Sequence, residues 1–213
     1  MSRTEILARY RQLRLINKRH SSAILKFVAK PTLLEHARGL GLADGRMLLL
    51  DNENELPLVF DLAIYSPISA RSRAIDRYRK ATQLAPDSDE AKVLDAMCQA
   101  EFSVWRVERR HETAGLVVFD LLRQVERWVV DEAFEQTAPA GMVIAMRLFA
   151  PESFAMTAGV FVPVDRNIVD EAIANLPPRR STEPDALAKD PRFAMAIYRA
   201  AITHGVMERV AFV

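Results

Sequence analysis

The side chains best suited to acid–base chemistry lie together around the first predicted hairpin. Glu108, His111 and Glu112 fall within five consecutive positions, and carboxylates and imidazoles are the usual general acids and bases of enzymes. Side chains alternate along a strand, so Glu108 and Glu112 share one face while His111 points to the other. Because charged side chains at a hairpin tip are mostly solvated, we assign no catalytic residue here.

Nucleophiles and metal ligands are equally sparse. Cys98 is the single cysteine, and it shares one side of a predicted helix with Leu94 and Met97. A thiolate is poorly solvated in such apolar surroundings, so we expect a buried, structural cysteine. The four histidines are scattered, and none pairs with another at the four-residue spacing that points two imidazoles at one ion. We therefore predict no metal site and no cofactor.

The clearest functional pattern is an uneven distribution of charge. Residues 1–30 carry eight lysines and arginines against the single acid Glu5, a net charge of +7. The other 183 residues carry 21 basic and 27 acidic side chains, a net charge of −6. A basic segment on an acidic body has two interpretations: it docks on that body, or it binds an external polyanion such as nucleic acid.

Six basic residues form the candidate nucleic-acid-binding set. They are Arg11, Arg14, Lys18, Arg106, Arg109 and Arg110. The first three share one face of the predicted N-terminal helix, and the other three belong to the first predicted strand. Small β-barrels bind single strands by stacking bases on exposed aromatic rings beside a basic groove, and Trp105 and Trp128 are the aromatic candidates. Tryptophans also commonly form the core of a small domain, so their environment decides between the two interpretations.

Residues 1–101 are predicted to be helical. Ser2 and Glu5 form a capping-box pattern, and apolar residues then recur at three- and four-residue steps up to Phe27. Further helices are predicted over Thr32–Leu40, Asn52–Tyr65, Arg71–Leu84 and Ser88–Gln99. Asp87 and Glu90 provide the start signal of the last of these helices.

The composition changes at residue 102, where short segments rich in valine, phenylalanine, tryptophan and methionine alternate with turn residues. The predicted strands are Phe102–His111, Gly115–Leu121, Glu126–Asp131, Met142–Phe149 and Phe154–Val162. Five short strands in about 60 residues predict a small antiparallel sheet, either closed into a barrel or strongly bent. The first strand alternates in the manner of a half-buried strand. Asp120 and Asp131 fall at strand ends, where we expect solvated carboxylates.

Helices are predicted again toward the C-terminus. Asp165 can cap a helix over Arg166–Leu176, and the proline-rich segment 177–184 is the best linker candidate. The last helix begins after Asp190, which can cap it, and ends before Gly205. Its predicted buried stripe consists of Phe193, Ile197, Ala200, Ala201 and His204.

These elements together predict an α+β fold with a helical N-terminal part, a small five-stranded antiparallel barrel or bent sheet, and C-terminal helices. We expect residues 1–101 to be the helical region and residues 102–164 the small antiparallel β-barrel-like region. Residues 165–213 are then the C-terminal helices packing on the body.

The composition narrows the class of protein. Hydrophobic residues make up 50% of the 213-residue chain, enough for a buried core. No apolar run approaches the length of a membrane span, and the N-terminus lacks the pattern of a secretory signal. We therefore expect a soluble, cytoplasmic protein that does not act in a membrane.

Three functions follow as hypotheses. The leading one is a non-enzymatic interaction or regulatory protein whose helical part binds a protein partner. The first alternative is a nucleic-acid-binding accessory protein that uses the basic N-terminal helix and the β-region. The second alternative is a hydrolase with an unrecognised site, and the composition is also compatible with a homo-oligomer.

Overall fold

The computed structural model describes residues 1–68, 71–177 and 184–209. Helices surround a five-stranded antiparallel sheet, so the predicted α+β class is confirmed. No helix in these three segments combines the length and apolar character needed to cross a bilayer.

Helix α1 spans Arg3–Lys26 and is the longest helix among the described residues. The predicted capping box is confirmed: the Ser2 hydroxyl accepts the amide of Glu5, and the Glu5 carboxylate accepts the amide of Ser2 at 2.7 Å. The helix buries a stripe that includes Ile6, Leu13 and Ile24. Most helical stability in proteins comes from the packing of an apolar face, so this buried stripe supplies much of the stability of α1.

Four shorter helices and a small hairpin follow before the sheet. They are α2 (Lys30–Leu40), the β1–β2 hairpin (Ala43–Asp44 and Met47–Leu48), a 3-10 turn (Glu53–Glu55), α3 (Leu56–Tyr65), α4 (Ala74–Ala81) and α5 (Asp89–Cys98). Each predicted helix is confirmed, although α4 is shorter than the predicted Arg71–Leu84. The cap of α5 is Ser88 and not Asp87, because the Ser88 hydroxyl accepts the amide of Ala91 at 3.2 Å.

The main sheet has the spatial order β5–β4–β3–β6–β7, with every neighbouring pair antiparallel. Its strands are β3 (Glu101–Arg110), β4 (Leu116–Asp120), β5 (Val125–Val129), β6 (Val143–Phe149) and β7 (Met156–Pro163). The sheet does not close into the predicted barrel. The edge strands meet only at one end, through an isolated bridge between Val129 and Ala155, whereas a barrel needs a continuous ladder there.

A helix that the sequence did not reveal interrupts the strands. Helix α6 (Glu132–Thr137) follows β5, where the Asp131 carboxylate accepts the amide of Phe134 at 3.1 Å and caps it. Asp131 also accepts the hydroxyl of Thr157 at 2.6 Å and is only 3% exposed. The expectation of a solvated carboxylate at this strand end is therefore wrong.

The C-terminal helices are α7 (Arg166–Ala174), α8 (Pro184–Ala188) and α9 (Phe193–Thr203), followed by a 3-10 turn at Val206–Arg209. The Asp165 cap of α7 is confirmed, whereas residues 178–183 of the predicted linker lie outside the described residues. Helix α9 begins later than expected, and the Asp190 carboxylate accepts the amide of Arg192 ahead of it. His204 is exposed and contacts Glu171 at 2.7 Å, so it does not belong to the buried stripe.

Strand β3 is buried on both faces over its first half, which corrects the prediction of a half-buried strand. Phe102 and Val104 pack in one core cluster with residues of α2, α3, α7 and α9. Trp105 and Val107 pack in a second cluster, to which Phe134 of α6 also belongs. The alternation of side chains along the strand therefore separates two apolar environments, not core from solvent.

A buried ion pair joins the helices to the sheet. Arg147 on β6 donates Nε and Nη2 to the two carboxylate oxygens of Asp61 on α3, at 3.1 and 3.0 Å. The hydroxyl of Tyr198 on α9 donates to the same carboxylate at 3.0 Å. Burial raises the pKa of Tyr198 well above its ordinary value, with the Asp61 charge adding to the effect, so the phenol remains a donor.

Removal of one partner should be far more harmful than removal of both. We expect Asp61→Ala to lower the free energy of unfolding by about 3–5 kcal/mol, because it leaves the Arg147 charge buried without its carboxylate. The double variant Asp61→Leu/Arg147→Met should recover most of that loss, since no buried charge remains. Urea unfolding of both variants measures the difference. Equal destabilisation by the single and double variants would contradict this account.

Candidate functional site

The N-terminal half of the basic helix docks on the acidic body. Arg3 forms an ion pair with Glu135 at 2.9 Å, and Arg11 forms one with Glu132 at 2.6 Å. Arg9 contacts both Asp89 on α5 and Glu152 before β7. The predicted charge asymmetry is therefore largely compensated within the molecule along this half of α1.

Arg14 is held more deeply than the other predicted binding residues. Its guanidinium donates to the backbone carbonyl of Thr157 and lies 3.4 Å from the buried Asp131 carboxylate. Burial raises the pKa of the neighbouring Tyr10 to about 12, and the Asp131 charge adds to that shift. Arg14 thus fixes α1 to the start of β7 and to the cap of α6, which leaves it poorly placed to meet an external ligand.

The three predicted basic residues of β3 also have carboxylate partners. Arg106 pairs with Glu108 at 2.7 Å and Arg109 pairs with Glu126 at 2.8 Å. Arg110 lies 3.4 Å from Glu135, the carboxylate that also holds Arg3. The side chains of Arg109 and Arg110 remain more than half exposed, but their charge is partly offset by these acids.

Neither tryptophan forms an open stacking surface. Trp105 is 1% exposed, and its indole nitrogen donates to the carbonyl of Met146. Trp128 is partly buried; the ring of His111 stacks on it at 4.1 Å, and its indole nitrogen donates to the carbonyl of Ala114. These environments support the core interpretation of the tryptophans and give no support to base stacking.

The structure does not assemble the acid–base residues into a reaction centre. Glu108 pairs with Arg106, while His111 stacks on Trp128 and accepts the amide of Thr113. Asp120, expected to be solvated, is fully buried and accepts bonds from Ser103 and from the amides that follow it. Within the described part of the chain, no three acidic, histidine or cysteine side chains are arranged to hold a metal ion.

Lys18 lies on a different and uncovered face of α1. Together with Leu15, Arg19, Ser22 and Lys26 it forms a surface that we call the cationic face. All five residues are exposed, and the Leu15 side chain is exposed by 60%. None of its three cations forms an ion pair with any residue that the structure describes.

The cationic face was only partly visible in the sequence. Lys18 follows Arg11 and Arg14 at helical spacing, but those arginines contact the body whereas Lys18 lies on the cationic face. The better signal was Leu15 followed by Arg19, Ser22 and Lys26 at steps of four, three and four, which places them on one side of the helix. An apolar residue inside a basic stripe is the feature that sequence reasoning missed.

Comparison with known proteins identifies the family. Residues 4–209 match the model of a family of unknown function, DUF7986, and the chain belongs to this family. No curated protein and no solved structure matches the chain.

Cys98 is half-buried at the end of α5. Burial, with the nearby Asp76 carboxylate, raises the pKa of its thiol above the ordinary value, so little thiolate forms near neutral pH. We expect a disulfide reagent at about pH 8 to label native Cys98 more slowly than the urea-unfolded chain. Because the chain has a single cysteine, the released thiol reports this site alone. Equal rates in the two states would show that the site is neither shielded nor depleted of thiolate.

Arg14 and Arg11 should differ in their effect on stability. Arg14→Gln should lower the free energy of unfolding by about 1.5–3 kcal/mol, because it removes charge-assisted hydrogen bonds from a part-buried site. Arg11→Gln should leave stability nearly unchanged, since the Arg11–Glu132 pair is exposed to solvent. Parallel urea titrations of the two variants test this, and the interpretation of Arg14 is wrong if the two midpoints coincide.

Proposed function

We propose that the protein is a non-enzymatic cytoplasmic interaction protein that binds an acidic helical segment of a protein partner on the cationic face. The observation that carries the proposal is the exposed Leu15 among the uncompensated cations Lys18, Arg19 and Lys26. Arg3, Arg9 and Arg11, in the first half of α1, form ion pairs with acidic residues elsewhere in the chain.

The apolar residue favours a protein over a nucleic acid. Phosphate backbones are bound by positive charge and hydrogen-bond donors, and an exposed leucine contributes neither. A leucine flanked by cations instead matches an amphipathic helix that presents an apolar anchor beside acidic residues. Leu15 and the partly buried Ala23 would contact the anchor, while the surrounding cations would pair with the acids.

The spacing also favours a helix as the bound segment. Residues 15, 18, 19, 22, 23 and 26 follow the three- and four-residue steps along which one helix packs against another. A second copy of this chain is a poor occupant, because a symmetric dimer through this face would bring like charges together.

The nucleic-acid alternative receives less support from the same geometry. Five of the six residues predicted for it have carboxylate partners, and only Lys18 lies on the cationic face. A nucleic acid bound here would therefore use Lys18, Arg19 and Lys26, which makes the choice between the two partners testable at one surface.

The experiment places a photoreactive amino acid at Leu15 in the full-length protein and irradiates the native cell. We expect a covalent adduct with another protein that survives nuclease treatment. The charge-reversed variant Lys18→Glu/Arg19→Glu/Lys26→Glu should lose that adduct, since it repels an acidic partner. Its melting temperature should stay near that of the parent, because the three cations have no ion pair among the described residues to lose.

The matched control carries the same change in net charge elsewhere. Arg46→Glu/Arg166→Glu/Arg199→Glu alters three exposed arginines on the β1–β2 turn, α7 and α9, and it should keep the adduct. If both triple variants lose the adduct, the interaction depends on the net charge of the protein and not on the cationic face, which contradicts the proposal. A nuclease-sensitive adduct would favour nucleic acid, and an adduct with a second copy of the chain would overturn the choice of occupant.

A further inference from the structure

A cavity of about 370 Å³ opens between the end of α3, the start of β3 and the segment joining α8 to α9. Four cationic side chains reach its wall: Arg73, Arg123, Arg147 and Lys189. Apolar surface is supplied by Phe102 and by small residues that include Ala100, Ala188 and Ala194. The cavity lies apart from the cationic face of α1, because the two share no residue.

Arg147 presents unused donors at this cavity. Its Nε and one N–H of Nη2 bind Asp61, whereas Nη1 has no hydrogen-bond partner among the described residues. Its guanidinium lies 4.6 Å from the centre of the Tyr65 ring and 5.4 Å from that of the Phe102 ring. The bidentate contact with Asp61 and the Phe102 ring hold the guanidinium in place, so the remaining donors are pre-oriented.

Arg123, in the turn between β4 and β5, is fixed in a similar way. The buried Asp120 carboxylate accepts its Nη1 at 2.9 Å, and the carbonyl of Ala188 accepts its Nη2 at 3.3 Å. Only 13% of the Arg123 side chain is exposed. Its Nε has carboxylates of Glu101 and Asp185 no nearer than 3.9 Å, so this donor is not engaged in a hydrogen bond.

Tyr65 places an unsatisfied group behind the same wall. The residue is 5% exposed and lines the cavity, while its hydroxyl oxygen is enclosed and has no hydrogen-bond partner among the described residues. Burial raises the pKa of Tyr65 far above its ordinary value, so the hydroxyl stays protonated and can donate. Buried polar groups are normally paired, and an unpaired donor next to Arg147 indicates an acceptor that the described residues do not supply.

We propose that this cavity binds a small organic carboxylate. The carboxylate would accept hydrogen bonds from the free donors of Arg147 and Arg123, and from the Tyr65 hydroxyl once that enclosed group has reoriented toward the cavity. The apolar part of the ligand would lie against Phe102 and the alanines of the wall.

The balance of charge selects a singly charged ligand. The four cations of the wall each have an aspartate partner, namely Asp61 for Arg147, Asp120 for Arg123, Asp76 for Arg73 and Asp185 for Lys189, and Glu101 and Asp190 are two further acids of the wall. The cavity therefore offers many donors but no excess positive charge, which suits a monoanion better than a phosphate dianion. The volume is near the lower end of the range for ligand pockets, so a small molecule fits.

The test is a titration of the full-length protein followed by NMR of the alanine methyl groups. Benzoate, its neutral isostere benzamide and inorganic phosphate are the probes. We expect benzoate to shift the methyl signals of Ala100, Ala188 and Ala194 saturably, and to do so at lower concentration than either other probe. This site is independent of the proposed partner interaction, so the Lys18→Glu/Arg19→Glu/Lys26→Glu variant should bind benzoate like the parent.

Tyr65→Phe is the informative variant, because it removes a hydroxyl that has no partner to lose. It should fold with unchanged or higher stability and weaken benzoate binding about tenfold or more, as loss of a hydrogen bond to a charged group predicts. Tyr78→Phe is the matched control on α4, away from the cavity wall, and should bind benzoate normally. The proposal is wrong if benzamide binds as well as benzoate or if phosphate binds better. It is also wrong if the methyl shifts do not saturate with benzoate, or if Tyr65→Phe binds benzoate with unchanged affinity.

Discussion

The Asp61–Arg147 ion pair is the contact on which the arrangement of the layers depends. One carboxylate of α3 receives two donors from β6 and one from α9, so three elements that are far apart in sequence converge on a single buried charge. A buried carboxylate is tolerated only when its lone pairs are filled, which fixes the distance and rotation of each donor element. The aromatic rings of Tyr65 and Phe102, with centres 4.6 and 5.4 Å from the guanidinium carbon, add to this constraint.

A second buried carboxylate that accepts several donors lies where the N-terminal helix meets the sheet. Asp131 caps α6, accepts the Thr157 hydroxyl and lies near Arg14, so a single carboxylate orders the turn after β5, the start of β7 and the docking of α1. Asp120 does the same for the turn after β4 and for Arg123. These buried aspartates satisfy backbone amides that have no ladder partner, in the turn after β4 and in the first turn of α6.

Features that depend on residues close together in sequence could be predicted, whereas those that depend on distant residues could not. The capping box at Ser2, the cap at Asp165 and the strand segments are local patterns, and the structure confirms them. Helix α6 was missed because its six residues are too few to show a period, and its cap residue reads equally well as the end of a strand. The burial of Asp120 and Asp131 was missed for another reason. A carboxylate is buried or solvated according to donors that arrive from elsewhere in the chain, and no local pattern reports them.

The prediction of the candidate site from sequence was limited in the same way, because it depended on contacts between distant residues. A count of charges located the basic segment, yet it could not separate cations that are compensated from those that are not, because the compensating acids lie 80 to 143 residues away. Once Arg3, Arg9, Arg11 and Arg14 have been assigned to the body, the excess charge of α1 is confined to its second half. That half is also where an apolar residue is left in solvent. Burying a leucine contributes about 1.5–3 kcal/mol, and exposed ion pairs contribute little individually, so a partner on this surface would gain most from Leu15 and would take its orientation from the cations around it.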